Sequence, residues 1–362
     1  MMQGKPVMVA MSGGVDSAVA AALLMEQGYD VVGVTMKLWG GDSDTGCCSV
    51  SDVLDARRAA DIVGIDHHVF NFGDDFDEHV VAPYVEAHAQ GYTPNPCIEC
   101  NRSIKFDRLL ERADALGFEH IATGHHARIA VDGDMRYIER GADGGKDQSY
   151  VLHTLGQAEL ARTLFPIGHM SKDEVRAKAA DIGMRVANKP DSQDVCFITR
   201  AEGRSNFLRS RMDFTPGDVV NASGESVGAV EAVQLVTIGQ RKGLGTAGGG
   251  RTPRYVIDVD VPQAKVIIGE AHDLLVEETA IGDFAWTGGV EPTEVMVQTS
   301  AHGNPGAASV TVLPDADQPT GPGGSLRRIL LSWTEARSRV APGQSVVLYS
   351  GNRVIGGGLA SR

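Results

Sequence analysis

The stretch VMVAMSGGVDSAVAAALL, residues 7–24, joins a run of apolar residues to an Ala-rich segment with helical spacing. Between them lies a Gly/Ser turn, in which glycines let backbone N–H groups point to one position while Ser12 and Ser17 add hydroxyl donors. The N-terminus of the following helix favours an anion. The stretch predicts a phosphate loop rather than a turn without a ligand, and it lacks the lysine of a Walker motif. The residues predicted to bind the nucleotide here are Ala10, Met11, Ser12, Gly13, Gly14, Val15, Asp16 and Ser17.

Three further β-branched runs have the composition of strands, namely VVGVTM (31–36), HHVF (67–70) and HIAT (120–123). The segments between them place apolar residues at helical spacing. Alternating strands and helices predict an α/β domain with a doubly wound parallel sheet that has helices on both faces. Such a sheet binds its ligands at the carboxyl ends of the strands.

The character of the chain changes after about residue 205 to short, Gly-rich, β-branched segments. These segments predict a small, mostly-β central domain and then a C-terminal β-barrel, with a disordered Pro/Gly-rich loop at 314–324. A chain of 362 residues is longer than one core usually supports. We therefore predict three domains, with bounds at 1–204, 205–276 and 277–362.

The composition is that of a soluble globular protein, with 42% hydrophobic and 22% charged residues. We expect a cytoplasmic protein with no membrane association, because no apolar run is long enough for a membrane helix or a signal peptide. The net charge of −14 disfavours an RNA partner, since phosphate binding depends on clustered Lys and Arg. Two basic clusters stand against that excess, and a solvated surface is the alternative reading of each. The first cluster is spaced three or four residues apart, which predicts one helical face, and consists of Arg102, Lys105, Arg108 and Arg112. The second consists of Arg241, Lys242, Arg251 and Arg254.

The five cysteines are an odd number in a long chain, which favours thiol or metal chemistry over a disulfide framework. Cys97 and Cys100 lie in TPNPCIECNRSIKF (93–106), and Cys196 lies in NKPDSQDVCFI (188–198). No role follows from the sequence for the remaining two, Cys47 and Cys48.

From end to end, the sequence resembles the tRNA-specific 2-thiouridylase family. The ordered set of blocks that carries the resemblance is AMSGGVDS, GCCS, TPNPCIECNRSIKF, ATGHHAR, GKDQSYVL, FPIGHMSKDEVR, KPDSQDVCF, IGQRKGLG and PGQSVVLY. SGGVDS alone is similar to the PP-loop of enzymes that split ATP between its α and β phosphates. The resemblance implies an ATP pyrophosphatase domain of the adenine nucleotide α-hydrolase-like fold, and a C-terminal barrel that contacts tRNA.

The chemistry that the resemblance implies is 2-thiolation of the wobble uridine in the anticodon stem-loop of tRNA. The C2 oxygen is first adenylated by ATP with Mg²⁺, because a uracil carbonyl is a poor electrophile. Asp16 is predicted to help hold the magnesium ion. A persulfide on Cys196 then delivers sulfur, and Cys100 attacks that persulfide to leave a disulfide. The sulfur donor would be a cysteine desulfurase or a relay protein.

Further binding residues are predicted from the resemblance alone. Met36 and Gly124 match nucleotide-binding positions. The positions that match tRNA contacts are Asn95, Pro96, Cys97, His125, Lys146, Asp147, Gln148 and Gln344. The family's Arg/Tyr-rich strand before the barrel is replaced by VQTSAHGNPG (297–306), which predicts a weaker grip on RNA.

Cys97 departs from the family, which commonly has Asp at this position. A CxxC pair with one distant cysteine is what a four-iron four-sulfur (4Fe-4S) cluster with one open iron needs, so Cys97, Cys100 and Cys196 are also predicted as possible cluster ligands. A zinc site completed by His125 or His126 and a plain redox CxxC pair are the alternatives.

Two functions of other classes are compatible with some of these features. A small-molecule ligase with the same loop adenylates a carboxylate or carbonyl and adds an amine, and it needs no cysteine triad. A non-catalytic RNA-binding iron–sulfur protein would release no pyrophosphate with tRNA.

Overall fold

The computed structural model describes the residues 4–38, 49–191, 195–198, 203–246, 252–288, 291–313, 320–321, 324–325 and 327–362. Cys47, Cys48 and most of the predicted loop at 314–324 lie outside these ranges, as do residues 192–194 of the KPDSQDVCF block. The chain forms two compact units. The first comprises residues 1–81, 96–201 and 352–354, and the second comprises 82–95, 202–351 and 355–362.

The strands of the described residues are β1 Pro6–Ala10, β2 Asp30–Lys37, β3 Asp66–Asn71, β4 His120–Ala122, β5 Ala127–Asp132, β6 Met135–Arg140, β7 Thr163–Leu164, β8 Gly217–Val220, β9 Ser226–Val230, β10 Tyr255–Asp260, β11 Lys265–Gly269, β12 Leu275–Trp286, β13 Glu294–Gln298, β14 Gly306–Val312, β15 Thr320–Gly321, β16 Gly324–Ser325, β17 Arg327–Ser338, β18 Ser345–Ser350 and β19 Arg353–Ala360.

The α-helices of the same ranges are α1 Val15–Glu26, α2 Val50–Val63, α3 Gly73–Phe76, α4 Ala82–Ala89, α5 Pro96–Glu99, α6 Leu109–Ala115, α7 Gln157–Arg162, α8 Lys172–Asp181 and α9 Gly203–Arg209. Two segments are π-helices, Asp77–Val81 and Cys100–Arg108. Short 3-10 helices span Ser149–Leu152, Arg185–Asn188, Val233–Leu235 and Ala271–Leu274. Within the described ranges, no helix combines the length and the apolar character needed to cross a bilayer.

The first unit is built on a parallel sheet. Among the described residues it has five strands in the order β3-β2-β1-β4-β7, so the four predicted strands are confirmed and β7 is added. Val7 of β1 pairs with Val31 on one side and with His120 on the other. The chain therefore reverses its direction of strand addition at β1, and the crevice for a ligand is expected where β1 and β4 end.

The hydrophobic core of the first unit joins the sheet to the helices α1, α2 and α8. Val7, Met8 and Val9 are fully buried, as a central strand with both faces covered requires. Helix α1 packs its small side chains, Ala18 to Ala22 among them, into the same core, which brings its axis close to the sheet. Helix α8 begins with a capping box in which Ser171 and Glu174 satisfy each other's backbone N–H groups.

The second unit is mostly β. Within the described ranges, a four-stranded sheet has the order β10-β11-β8-β9. Six described strands, β12-β17-β14-β13-β18-β19, form an antiparallel barrel that closes where Ile281 of β12 pairs with Ala360 of β19. Closure removes exposed strand edges. The predicted fold class, an α/β domain followed by a small β domain and a β-barrel, is confirmed.

Candidate active site

The phosphate loop, residues 11–17, links the end of β1 to the start of α1. Gly13 has φ +73°, and a Cβ there would lie 2.3 Å from the carbonyl oxygen of Asp52, so only glycine fits. The Ser17 hydroxyl donates to the carbonyl of Gly14 and accepts from the N–H of Ser12, both at 3.2 Å. These hydrogen bonds between loop residues therefore hold the conformation of the loop, which ends at the N-terminus of α1.

The two other predicted nucleotide positions lie at the same edge of the sheet. A Cβ on Gly124, which follows β4, would lie 2.6 Å from the backbone nitrogen of Ser17, so the strand end closely approaches the head of α1. Met36 is half-buried near the end of β2. Two residues before it, the Val34 carbonyl accepts the N–H of Met11 at 2.8 Å.

A buried hydrogen-bond chain holds the carbonyl that precedes the loop. The Thr35 hydroxyl donates to the Met11 carbonyl at 2.8 Å, so it accepts from Nε2 of His67, also at 2.8 Å. Burial lowers the pKa of His67, and the neighbouring positive charges of His68 and Arg57 lower it further. A neutral His67 with its proton on Nε2 satisfies this geometry.

Asp16, at the head of α1, belongs to a network of charges. Its carboxylate accepts from Nζ of Lys172 at 2.7 and 2.8 Å and from Nε2 of His126 at 3.2 Å. Lys172 is only 7% exposed and also lies 2.7 Å from Asp191. Asp191 in turn is 2.7 Å from Lys146.

Both carboxylates of this network are ionised. Burial alone would raise the pKa of Asp16, but the hydrogen bonds from His126 and Lys172 lower it. Burial also opposes ionisation of Asp191. The hydrogen bonds and charges of Lys146 and Lys172 outweigh the effect of burial and lower the pKa of Asp191 to about 2. Lys172 and Asp191 are not predicted from the sequence, where their only signal is their presence in the blocks FPIGHMSKDEVR and KPDSQDVCF.

Asp16 fits a magnesium ion. Mg²⁺ commonly takes one or two protein carboxylates and completes its coordination with water and substrate phosphates. Asp16 is ionised and partly exposed, and the cation it now contacts is the ammonium of Lys172. Magnesium there would offset the negative charge of a phosphate chain at the loop.

Lys189 is a further missed residue. Its Nζ donates to Asp52 and Asp55 of α2, both at 2.8 Å, and to the carbonyl of Gly13 at 3.0 Å. Burial opposes its charge, but the two carboxylates raise its pKa. The ammonium therefore ties the phosphate loop to α2.

The predicted RNA-binding segment 146–148 has contacts inside the first unit. Lys146 pairs with Asp191, Asp147 accepts from Arg140 at 2.7 Å, and Gln148 accepts the N–H of His126 at 2.9 Å. Lys146 retains a 40% exposed side chain. An RNA role for these residues stays a prediction.

His125 is buried. Its Nδ1 lies 2.7 Å from the Thr123 hydroxyl, and its ring packs against Phe106 and Phe165. Burial, and then the charges of Lys105 and His126, place its pKa well below the usual value. The predicted contact with RNA would have to use a neutral ring with little exposed surface.

The three predicted cysteines differ in exposure. Cys97, on α5, is exposed, Cys100 is buried at the start of the second π-helix, and Cys196 is half-buried. In the part of the chain that the structure describes, which includes all three, no group of His, Cys, Asp and Glu is arranged to hold a metal ion. Neither the predicted iron–sulfur cluster nor the zinc alternative gains support.

Asn95 and Gln344 lie in the second unit. The Gln344 amide donates to the carbonyl of Thr93, and the Thr93 N–H donates to the carbonyl of Pro342 at 2.8 Å. Gln344 thus anchors the segment that leads to Asn95. Its predicted contact with RNA stays a prediction.

The parallel sheet, the SGGVDS loop at its switch point and the ionised Asp16 define the first unit as a nucleotide-binding domain of the PP-loop class. Residues 5–200 match the tRNA methyl transferase HUP domain, 205–270 the tRNA methyl transferase PRC-barrel domain, and 276–360 the aminomethyltransferase beta-barrel domain. The chain belongs to the tRNA-specific 2-thiouridylase family, because proteins with that name are 42–46% identical to it over nearly its whole length.

Relatives with that name support the assignment over nearly the whole chain. The protein of Rhodococcus erythropolis is 46% identical over 98% of this chain and 97% of its own. The protein of Chloroflexus aggregans is 43% identical over 98% of both chains, and that of Heliobacterium modesticaldum is 42% identical over 98% of this chain and 92% of its own. The predicted family and the prediction of an enzyme are confirmed, whereas the domain bounds and the site residues stay predictions.

Among solved structures, a 4-thiouridine synthetase in complex with RNA and ATP aligns with a TM-score of 0.37 and 20% identity, over 53% of this chain and 44% of that chain. This score is too low to define a common fold.

Proposed function

We propose that this protein uses ATP to replace the C2 oxygen of the wobble uridine of tRNA with sulfur. The observation that carries the proposal is the 42–46% identity, over nearly the whole chain, to proteins named tRNA-specific 2-thiouridylase. The first unit also contains both the phosphate loop and the two cysteines that the reaction needs. A wobble base is unpaired, so it can enter a pocket without opening a duplex.

The ATP step takes place at the phosphate loop. A bond forms between the α-phosphorus and the uracil C2 oxygen, the α–β phosphoanhydride bond breaks, and pyrophosphate leaves. Backbone N–H groups at the head of α1 and the ammonium of Lys172 would bind the departing charge. Lys172 lies 2.7 Å from both Asp16 and Asp191, so it would exchange part of these contacts for phosphate oxygens.

The sulfur step uses Cys196 and Cys100. The terminal sulfur of a Cys196 persulfide bonds to C2, and AMP leaves with the former uracil oxygen. The Cys100 thiolate then attacks Sγ of Cys196, which forms a disulfide between the two and breaks the persulfide bond. The transferred sulfur keeps the electron pair and remains on C2. A thiol reductant must reduce the disulfide before the next turnover.

No step is assigned to an iron–sulfur cluster, because the described residues contain no metal-binding group that includes these cysteines. Cys97 is exposed, three residues before Cys100, and has no role in the persulfide route.

The test is thiolation of unmodified tRNA by anaerobically purified protein with ATP, Mg²⁺, and a cysteine desulfurase with cysteine as the sulfur source. Thiouridine would be measured by mass spectrometry and pyrophosphate by a coupled assay. We expect equal product from iron-stripped and iron-loaded protein, and none from Cys100→Ser or Cys196→Ser. Cys97→Ser is the matched variant and should retain activity.

Other results would change the proposal. Product only from iron-loaded protein, lost in Cys97→Ser, would restore the cluster. No thiouridine under any condition would refute the function. ATP turnover without tRNA that survives Cys100→Ser would favour the small-molecule ligase.

A further inference from the structure

Asp191 has no step of its own in the proposed reaction, but three cations contact its carboxylate. Its Oδ1 lies 2.7 Å from Nζ of Lys172 and 3.2 Å from Nη2 of Arg176. Its Oδ2 lies 2.7 Å from Nζ of Lys146. Each carboxylate oxygen therefore has a lysine of its own, and charge-assisted hydrogen bonds of this kind are among the strongest in proteins.

Backbone contacts fix the segment that contains Asp191. Arg176 of α8 donates to the carbonyl of Ala187 at 2.7 Å and to the carbonyl of Lys189 at 3.1 Å. The ammonium of Lys189 donates in turn to the carbonyl of Gly13 in the phosphate loop at 3.0 Å. Asp191 is therefore held in position relative to both α8 and the phosphate loop.

Lys172 lies between two carboxylates from distant parts of the chain. Its buried Nζ is 2.7 and 2.8 Å from the oxygens of Asp16 and 2.7 Å from Asp191. When Asp16 binds magnesium, the ammonium and the metal ion compete for the same carboxylate, because both are cations. Their repulsion is strong in a site that contains little water.

We propose that Asp191 is a positioning residue that holds the Lys172 ammonium when Asp16 binds magnesium. The inference rests on the proposed function, in which Lys172 binds the phosphates of ATP, and on the fit of Asp16 to magnesium. Asp191 weakens the competition of the ammonium for Asp16, and it keeps that ammonium beside the phosphate loop. Without the Asp191 carboxylate, Lys172 would pair with Asp16 alone and oppose the metal ion.

This role predicts different effects of two substitutions on the affinity for a divalent cation. Asp191→Asn removes the second anion of the ammonium, so Lys172 competes more strongly for Asp16 and the affinity falls. Lys172→Met removes the competing cation, so the affinity does not fall. Asp191→Asn should have little further effect when it is added to Lys172→Met, because Asp191 acts through Lys172.

The test is the binding of Mn²⁺, a paramagnetic substitute for Mg²⁺, to full-length protein loaded with one equivalent of α,β-methylene-ATP. This analogue cannot release pyrophosphate, and free Mn²⁺ would be measured by electron paramagnetic resonance without tRNA or a sulfur source. We expect the Kd for Mn²⁺ to rise about 10-fold in Asp191→Asn, as when an outer partner of a metal ligand is lost.

Two variants control for charge and for the loss of an ion pair. Asp191→Glu keeps the carboxylate and should restore most of the affinity for Mn²⁺. Glu26→Gln is the matched control, because it removes the carboxylate that lies 2.6 Å from another lysine of α8, Lys178. It should leave the Kd for Mn²⁺ unchanged. Urea unfolding of each variant would establish that it is folded.

Three outcomes would overturn the inference. The first is an unchanged Kd for Mn²⁺ in a folded Asp191→Asn protein. The second is a higher Kd in Lys172→Met, which does not require any Asp191 variant to fold. The third is an equally large rise when Asp191→Asn is added to Lys172→Met. If wild type forms no thiouridine, the proposed function fails, but the Mn²⁺ titration still decides the role of Asp191.

Discussion

The phosphate loop and the π-helix that begins at Cys100 lie in the same unit but differ in the contacts that hold them. Around the loop, Lys172 contacts the ionised carboxylates of Asp16 and Asp191 at 2.7 Å, and Lys146 contacts Asp191 at the same distance. Lys189 donates to the carbonyl of Gly13 in the loop at 3.0 Å. The π-helix buries Cys100 and packs Phe106 against the neutral ring of His125.

The difference corresponds to the two chemistries. A polyphosphate has several negative charges, so a site for it needs many fixed dipoles and cations that can exchange partners. An attacking sulfur carries a single negative charge and reacts as the thiolate. A substitution in one region should therefore leave the reaction step of the other region unchanged. These steps are pyrophosphate release at the loop and sulfur transfer at Cys100.

The largest effect is expected from Lys172→Met. This change leaves the carboxylates of Asp16 and Asp191 without their shared ammonium and removes a cation from the phosphate site. Pyrophosphate release with tRNA should fall by about 100- to 1,000-fold, as when one charge-stabilising group is lost from an active site. The matched control is Lys178→Met on the same helix, because Lys178 pairs with the exposed Glu26 and surface pairs contribute little. Equal losses in the two variants would contradict the assignment.

A large effect on stability is expected from Gly13→Ala. The new Cβ would lie 2.3 Å from the Asp52 carbonyl at a φ of +73°. The free energy of unfolding in urea should fall by about 2–3 kcal/mol. Gly14→Ala is the control, because Gly14 has φ −93° and a Cβ there would meet only the Ser12 hydroxyl at 3.5 Å. If both variants unfold at the same urea concentration as wild type, the loop is not rigid in the way described.

The sequence predicted the loop better than its surroundings, for a physical reason. SGGVDS is local, so each glycine and hydroxyl serves a turn that the same six residues build. Lys172 contacts Asp16 from 156 positions away, and no spacing rule connects such residues. Strand β7 has only two residues, which is too short for a periodic pattern.

The region of Cys100 was harder to predict. The spacing of Cys97 and Cys100 fits a metal cluster as well as a redox pair, and the sequence does not separate these two interpretations. Helical spacing also predicted one face for Arg102 and Lys105, but the segment Cys100–Arg108 is a π-helix, in which that spacing does not apply.

A smaller effect is expected from Thr35→Val. The change keeps the shape but removes the donor to the Met11 carbonyl and the acceptor for His67. Leaving these buried groups unsatisfied should lower the free energy of unfolding by about 1–2 kcal/mol. The double variant Thr35→Val with His67→Phe should lose less than the sum of the single changes, because one unsatisfied donor disappears. If the changes in the free energy of unfolding in urea were strictly additive, the hydrogen bonds made by Thr35 and His67 would not be coupled.

The smallest effect, and the sharpest separation of the two regions, is expected from pH. Asp191 has its pKa lowered to about 2 in the folded protein, against about 3.9 when unfolded. Its stabilising contribution is therefore fully present above pH 4–5 and is lost as the pH falls toward 2. Between pH 5 and 2.5, wild type should lose about 1 kcal/mol more stability than Asp191→Asn, allowing for solvent screening. Lys105→Met changes only the π-helix region, so it should follow the wild-type slope. Parallel curves for wild type and Asp191→Asn would mean that the carboxylate is not held by Lys146 and Lys172, and a flattened curve for Lys105→Met would mean that the two regions share one network.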